Sequence, residues 1–219
     1  MKISELSRRS GVPIGTIKYY LREGLLPPGT HTARNQAEYP ESTLHRLRLT
    51  RALIAVGGLS IAATGNVLRA IDEPVTLFKS LGMAHCALPP PFPTEAHEDV
   101  EEEFNAEAHA LVEAAGWTIV GNTPGIASLA AGQKALSRLG IKWTAKDLLP
   151  YAKLAHAAAR LDLDQTAGIE NRIDMAERAI VQTVLLEPIL ATLRRLAQEH
   201  EAARRYAPAG QAVDLEGSE

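Results

Sequence analysis

Apolar residues recur three and four apart through most of the chain, the spacing of helices that bury one face. Ile3 and Leu6 share one side of a short opening helix. Gly11 follows it and tolerates the left-handed backbone that a sharp helix–helix corner needs. Pro13 suits the first turn of the next helix, where a missing N–H costs nothing. In that helix Ile17, Tyr20 and Leu21 point inward, while Gly15, Lys18, Tyr19 and Arg22 fall at i, i+3, i+4 and i+7 on another face. Leu26-Pro27-Pro28-Gly29 ends it, and the polar stretch 30-THTARNQAEYP-40 suits a short two-stranded wing that contains Arg34 and closes on Tyr39. A helix over 41–58 follows, with Leu44, Leu47 and Ile54 inward and Arg46, Arg48 and Arg51 more exposed. After Gly57-Gly58, Ser60 can cap a further helix whose buried stripe is Ile61, Val67, Leu68 and Ile71.

The pattern breaks at 82-GMAHCALPPPFPTEAHEDVEEEF-104, where Leu-Pro-Pro-Pro-Phe-Pro reads as a stiff linker. Acidic residues crowd 95–107 and suit the exposed start of a helix, whose dipole favours negative charge. Four helical stretches are expected near 95–116, 125–139, 144–161 and 170–206, with Gly116, Gly140 and Gly168 near the breaks. Pro124 fits a helix start, and Thr144 with Asp147 fits an N-cap. The last stretch is long for one globular helix, and Pro188 is expected to kink it or divide it in two. Ile173, Ala176, Ile180 and Val184 share one stripe there, and Ile189, Leu193 and Leu196 form another. The expected division is 1–72 as one domain, 73–94 as a helix and Pro-rich linker, 95–207 as an all-helical domain, and 208–219 as a fraying tail.

Charge sharpens this division. Residues 1–74 hold ten Lys and Arg against six Asp and Glu, while the rest hold thirteen against twenty, within a net charge of −3. A basic head on an acidic body suggests that the head meets a polyanion. Cys86 is the sole cysteine, so no internal disulfide forms, and a reducing, cytoplasmic setting is expected. The opening MKISELSRRS has no apolar run behind its basic residues, and no run of eighteen apolar residues occurs, so neither a signal peptide nor a membrane span is expected.

Two short helices joined at a Gly turn, the second with a basic, hydroxylated outer face, form the helix-turn-helix pattern. The run I-x-E-L-x-x-x-x-G-V, then T-I-K-Y-Y-x-R-E-G-L-L-P-P, then Y, L-x-R-L-R-L-x-R-A-L and G-G-L-S resembles the MerR family of transcription regulators over about residues 1–71. The expected fold is therefore mostly α: an N-terminal winged helix-turn-helix with a short two-stranded β wing, followed by an all-α C-terminal domain. The resemblance implies a homodimer on a palindromic promoter in double-stranded DNA. It also implies an indirect effect on RNA polymerase, through DNA twisted and bent when an effector binds the C-terminal part.

Three features depart from the family pattern. Lys18 stands where the family has Arg, which keeps the charge but loses the bidentate fork, so a phosphate contact suits it better than base reading. Gln36 and Ala37 stand where the wing has a Tyr-Arg pair, leaving Arg34 as the substitute. The long dimer helix after the head is interrupted by the Pro-rich linker.

The expected DNA-binding residues are Thr16, Lys18, Tyr19, Arg22, Arg34, Tyr39, Arg46 and Arg51. Arg34, Arg46 and Arg51 are assigned to phosphates, Thr16 either to a base or to a neighbouring main-chain group, and Tyr39 to packing with its hydroxyl on a phosphate. In the body, Phe104, Trp117, Trp143 and Tyr151 are core aromatics by default and would otherwise line a pocket for a hydrophobic small molecule. The segment 176-AERAIVQTVLLEPILATLRRLAQE-199 is weakly similar to the C-terminal helices of TetR-type regulators, which form a ligand pocket and a dimer interface.

Other chemistry finds little footing. A lone Cys86 is a poor soft-metal site, 97-HEDVE-101 lacks the second His of a zinc-protease helix, and 121-GNTPG-125 lacks the lysine of a phosphate loop. His109 and His156 sit among alanines as expected packing residues. No metal, no cofactor and no enzymatic activity are expected. An architectural, excisionase-like DNA-binding protein without an effector is the alternative reading.

Overall fold

The computed structural model describes residues 1–33, 36–89, 92, 100–119 and 124–206. Helix α1 (Ile3–Ser10) buries Leu6 and stops at Gly11, whose φ of 68° is the left-handed corner. Helix α2 (Ile14–Arg22) begins one residue later than Pro13 predicts, with that proline at the N-cap in extended backbone and Ile17 and Tyr20 buried. Strands β1 (Thr30–Ala33) and β2 (Gln36–Glu38) pair antiparallel, with a register shift between His31 and Ala33. The chain start anchors the base of this hairpin: Met1 and Tyr39 exchange hydrogen bonds, the terminal amine donating to the Tyr39 carbonyl at 2.6 Å and Tyr39 N–H to the Met1 carbonyl at 2.8 Å.

Helix α3 (Glu41–Ala55) buries Thr43, Leu44, Leu47, Leu49, Thr50 and Leu53. Of these, the arginine-rich pattern pointed to Leu44 and Leu47; the Thr50 hydroxyl is absorbed by donating to the Arg46 carbonyl at 2.8 Å. Helix α4 (Ile61–Asp72) starts at Ser60, whose hydroxyl accepts from Ala63 N–H at 3.1 Å, as an N-cap should. Val67, Leu68 and Ile71 are buried on it, and Ile61 is partly buried against the same core. Thr76 caps helix α5 (Leu77–Ala87), which lies along α4 and buries Ser80 and Ala84.

Beyond the prolines come α6 (Glu102–Ala114), α7 (Pro124–Arg138) and α8 (Ala145–Asp164). Residues 95–99 of the first expected stretch lie outside the described residues, as do Arg34, 121–123 and the tail from 207. These helices meet over small residues: Ala108 and Leu111 of α6, Ala130 and Ala131 of α7, and Ala152 of α8. Alanine lets backbones approach closely; of the aromatics expected in this core, Phe104 and Trp117 are half-buried and Trp143 and Tyr151 are exposed.

Helix α9 (Arg172–Tyr206) runs through Pro188 as one 35-residue helix, so of the two expected outcomes, a kink or a division, the division does not occur. The proline removes a single ladder bond at an exposed position, and the Leu, Ala, Arg and Glu around it are strong helix formers. The first half of α9 packs on α3, α4 and α5, burying Ala176, Ala179, Ile180 and Val184, although the expected boundaries placed it wholly in the C-terminal domain. Gly57 makes room for it, since a Cβ there would lie 2.3 Å from Val184 Cγ1. Arg172 donates to the Ile71 carbonyl at the end of α4 and to Ser80 Oγ at 3.4 Å, and His45 Nε2 lies 2.5 Å from Glu177 Oε1.

Candidate nucleic-acid interface

Burying Ile17 and Tyr20 in the core shared with Leu6, Leu44 and Leu47 fixes the rotation of α2, and that rotation turns Gly15, Lys18, Tyr19 and Arg22 to solvent. Arg22 lies over the Tyr19 ring, its guanidinium carbon 5.7 Å from the ring centre, and Tyr19 and Tyr20 stand 6.1 Å apart at 45°. The stacking holds a cation and a hydroxyl together on the exposed face. Lys18 forms no ion pair among the described residues, so its charge is available to a polyanion. Thr16 is half-buried beside them near the start of α2.

The remaining expected contacts are placed differently. Arg34 lies outside the described residues. Tyr39 is buried at the wing's base, where a Cβ on Gly29 would come within 2.8 Å of its ring, so the ring is a packing residue. Arg46 pairs with Asp72 through both guanidinium nitrogens and reaches the Leu68 carbonyl, a tie between α3 and α4 rather than an outward cation. Arg51 is exposed but donates to the Ser10 and Gly11 carbonyls at 3.4 Å, closing the open end of α1.

Two further basic residues, outside the expected DNA-binding set, serve the same corner. Arg48 donates to the Arg9 carbonyl at 3.3 Å, and Arg9 pairs with Glu41 on both oxygens. The Arg9 hydrogen bonds hold the Glu41 carboxyl below its ordinary range and raise the guanidinium. Basic residues in the last turn of α1 were the available signal, since that is where a helix end attracts cations and lends its carbonyls.

The body aromatics do not line one pocket: Trp117 pairs with His156, Trp143 pairs with Tyr151, and Phe104 is in neither pair. Trp117 stacks on His156 with centroids 6.4 Å apart and donates Nε1–H to its Nδ1 at 3.1 Å. Trp143 stacks on Tyr151 at 5.5 Å, and with Phe104 it borders a small depression. His156 and His109 are both exposed, so neither is the packing residue expected. Cys86 is exposed on α5, and among the described residues no group of three or more His, Cys, Asp or Glu side chains is placed to hold a metal. No described helix is long and apolar enough to cross a membrane.

The family model described as "MerR HTH family regulatory protein" matches residues 1–71. A curated protein of Haemophilus influenzae, "HTH-type transcriptional regulator ZntR homolog", is 43% identical over 47 residues. That match spans 22% of this chain and 35% of the relative, about a third of its length. A crystal structure from Streptomyces coelicolor A3(2), described as that of a candidate transcriptional regulator, SCO5550, is 39% identical over 95% of this chain and 99% of its own, with a TM-score of 0.71.

Proposed function

The chain belongs to the MerR family of helix-turn-helix transcription regulators, and from that premise we propose that it acts as a homodimer on a palindromic promoter, under control of a small organic effector bound among its C-terminal helices. The observation that carries the DNA-binding reading is the solvent-facing row of Lys18, Tyr19 and Arg22 on α2, in a head that also carries the hairpin of β1 and β2. In a helix-turn-helix the second helix enters the major groove and a wing follows the backbone. Lys18 neutralises a phosphate, Arg22 and Tyr19 act as one unit, and Thr16 reaches a base edge near the helix start.

The homodimer is supported by the second half of α9. Ile189, Leu193 and Leu196 are 50, 55 and 56% exposed in the single chain, on a stripe whose spacing of three and four is that of a coiled-coil seam. Read antiparallel, Leu193 faces Leu196, Leu186 faces Ala203 and Ile189 faces His200. With its first half built into the head, the 35-residue helix spans about 50 Å at 1.5 Å per residue, so its partner fixes the separation of the two heads. An effector then acts without catalysis. It shifts the orientation of the heads, and so the deformation of the DNA that RNA polymerase meets.

Fluorescence anisotropy with a twofold-symmetric promoter fragment tests the interface. Lys18→Ala with Arg22→Ala is expected to weaken binding about 10- to 100-fold and to lower the slope of log K against log salt by about two. Wild-type affinity in the double variant would remove α2 from the interface.

A further inference from the structure

A cavity of about 380 Å³ lies where α7 faces α5 and α9. Leu88, Pro89 and Ile119 give it apolar walls, and Glu187 stands on its α9 side. Ser128, one turn into α7, lines the same space with 5% of its surface exposed, and its hydroxyl has no hydrogen-bond partner among the described residues. A helical serine ordinarily satisfies itself on the carbonyl four residues back, and a buried polar atom without a partner costs free energy that a bound group would recover. His85, exposed on α5, also borders the cavity, and the protein around its ring pushes its pKa down, which favours the neutral imidazole. The Glu187 carboxylate disfavours an anion, and apolar walls make any charged ligand costly to desolvate.

We propose that this cavity is a binding site for a small uncharged molecule, a single ring with a short apolar tail and one hydroxyl group that pairs with the Ser128 hydroxyl. The cavity size falls within the usual range for small-molecule sites, and its few polar groups suffice to orient such a ligand. Its position adds a regulatory meaning, which rests on the effector reading above. Helix α5 packs on α4 of the head, and α9 runs from the head to the proposed dimer seam. A ligand between these two and α7 therefore touches both elements that set the head's orientation.

Cys86 lies on the cavity's rim and is the sole thiol, so its alkylation reports occupancy. The test uses the full chain with 4-propylphenol as probe and iodoacetamide as reagent, followed by intact mass. The phenol is expected to slow alkylation several-fold in a saturable way. Propylbenzene, lacking the hydroxyl, should need about tenfold more for the same protection, and Ser128→Ala should abolish the difference between the two. Absence of protection, equal protection by both probes in the wild type, or an unchanged phenol curve in Ser128→Ala each overturns the site. DNA anisotropy in parallel separates the two claims. Ser128-dependent protection with unaltered DNA binding upholds the site and removes its regulatory meaning, while lost protection in a protein that still binds DNA removes the site alone.

Discussion

Individual residues here divide into those that face outward because a neighbour is buried and those held by a backbone requirement. Tyr20 and Tyr19 are adjacent, yet packing draws the first into the core and leaves the second to stack under Arg22. Gly11 belongs to the second kind: with φ at 68°, Gly11→Ala should cost about 1 kcal/mol in chemical denaturation, from the left-handed backbone alone. The Cβ itself would meet Arg51 Nη1 at an ordinary 3.5 Å. Asp147 is held by its cap, because the Thr144 N–H and hydroxyl both donate to its carboxylate and keep its pKa below the ordinary 3.8. Its support of α8 is therefore full above that ordinary value and lost as pH falls through the depressed one. A carboxyl titration by NMR should place its midpoint below 3.8, moving upward in Thr144→Ala.

At the scale of elements, the junction between α3 and α9 decides most. Gly57 ends α3 where Val184 presses in, and an added Cβ would also lie 2.7 Å from the Leu53 carbonyl. Gly57→Ala should therefore destabilise the fold by about 1–3 kcal/mol through overpacking, and Ile180→Ala by about 2–5 kcal/mol through the cavity it leaves. Urea melts followed by circular dichroism would check both, and a Gly57→Ala protein as stable as the wild type would mean that α9 does not seat there. Element existence was largely legible. Ser60, Pro124 and Thr144 marked helix starts, and the inward residues of α1, α2 and α4 followed the apolar spacing. Pro188 does not divide α9 because a proline's cost is local, whereas the stability of a 35-residue helix is summed over its length and its packing.

For the whole molecule, α9 links two jobs that the linear reading kept apart. Its first stripe completes the head's core, and its second, at Ile189, Leu193 and Leu196, is left to solvent in the single chain. If that second stripe is the dimer seam, Leu193→Glu should yield a monomer in sedimentation equilibrium at concentrations where the wild type is dimeric. Binding to a palindromic site should fall with it, while the far-ultraviolet spectrum stays unchanged. A Leu193→Glu protein that remains a dimer would direct attention to the exposed Phe78 and Met83 of α5.

Periodicity, caps and turn residues are local properties, so the chain's own order of amino acids determined its helical class, its two-strand wing and the basic face of α2. Which charges remain outward is a matter of neighbours far along the chain. Asp72 takes Arg46, the end of α1 takes Arg51, and the base of the wing takes Tyr39. Equally, the apolar stripes on α9 were visible as stripes, but only tertiary packing decided that one is covered by α3, α4 and α5 and the other is not, because burial depends on what arrives from elsewhere to cover a face.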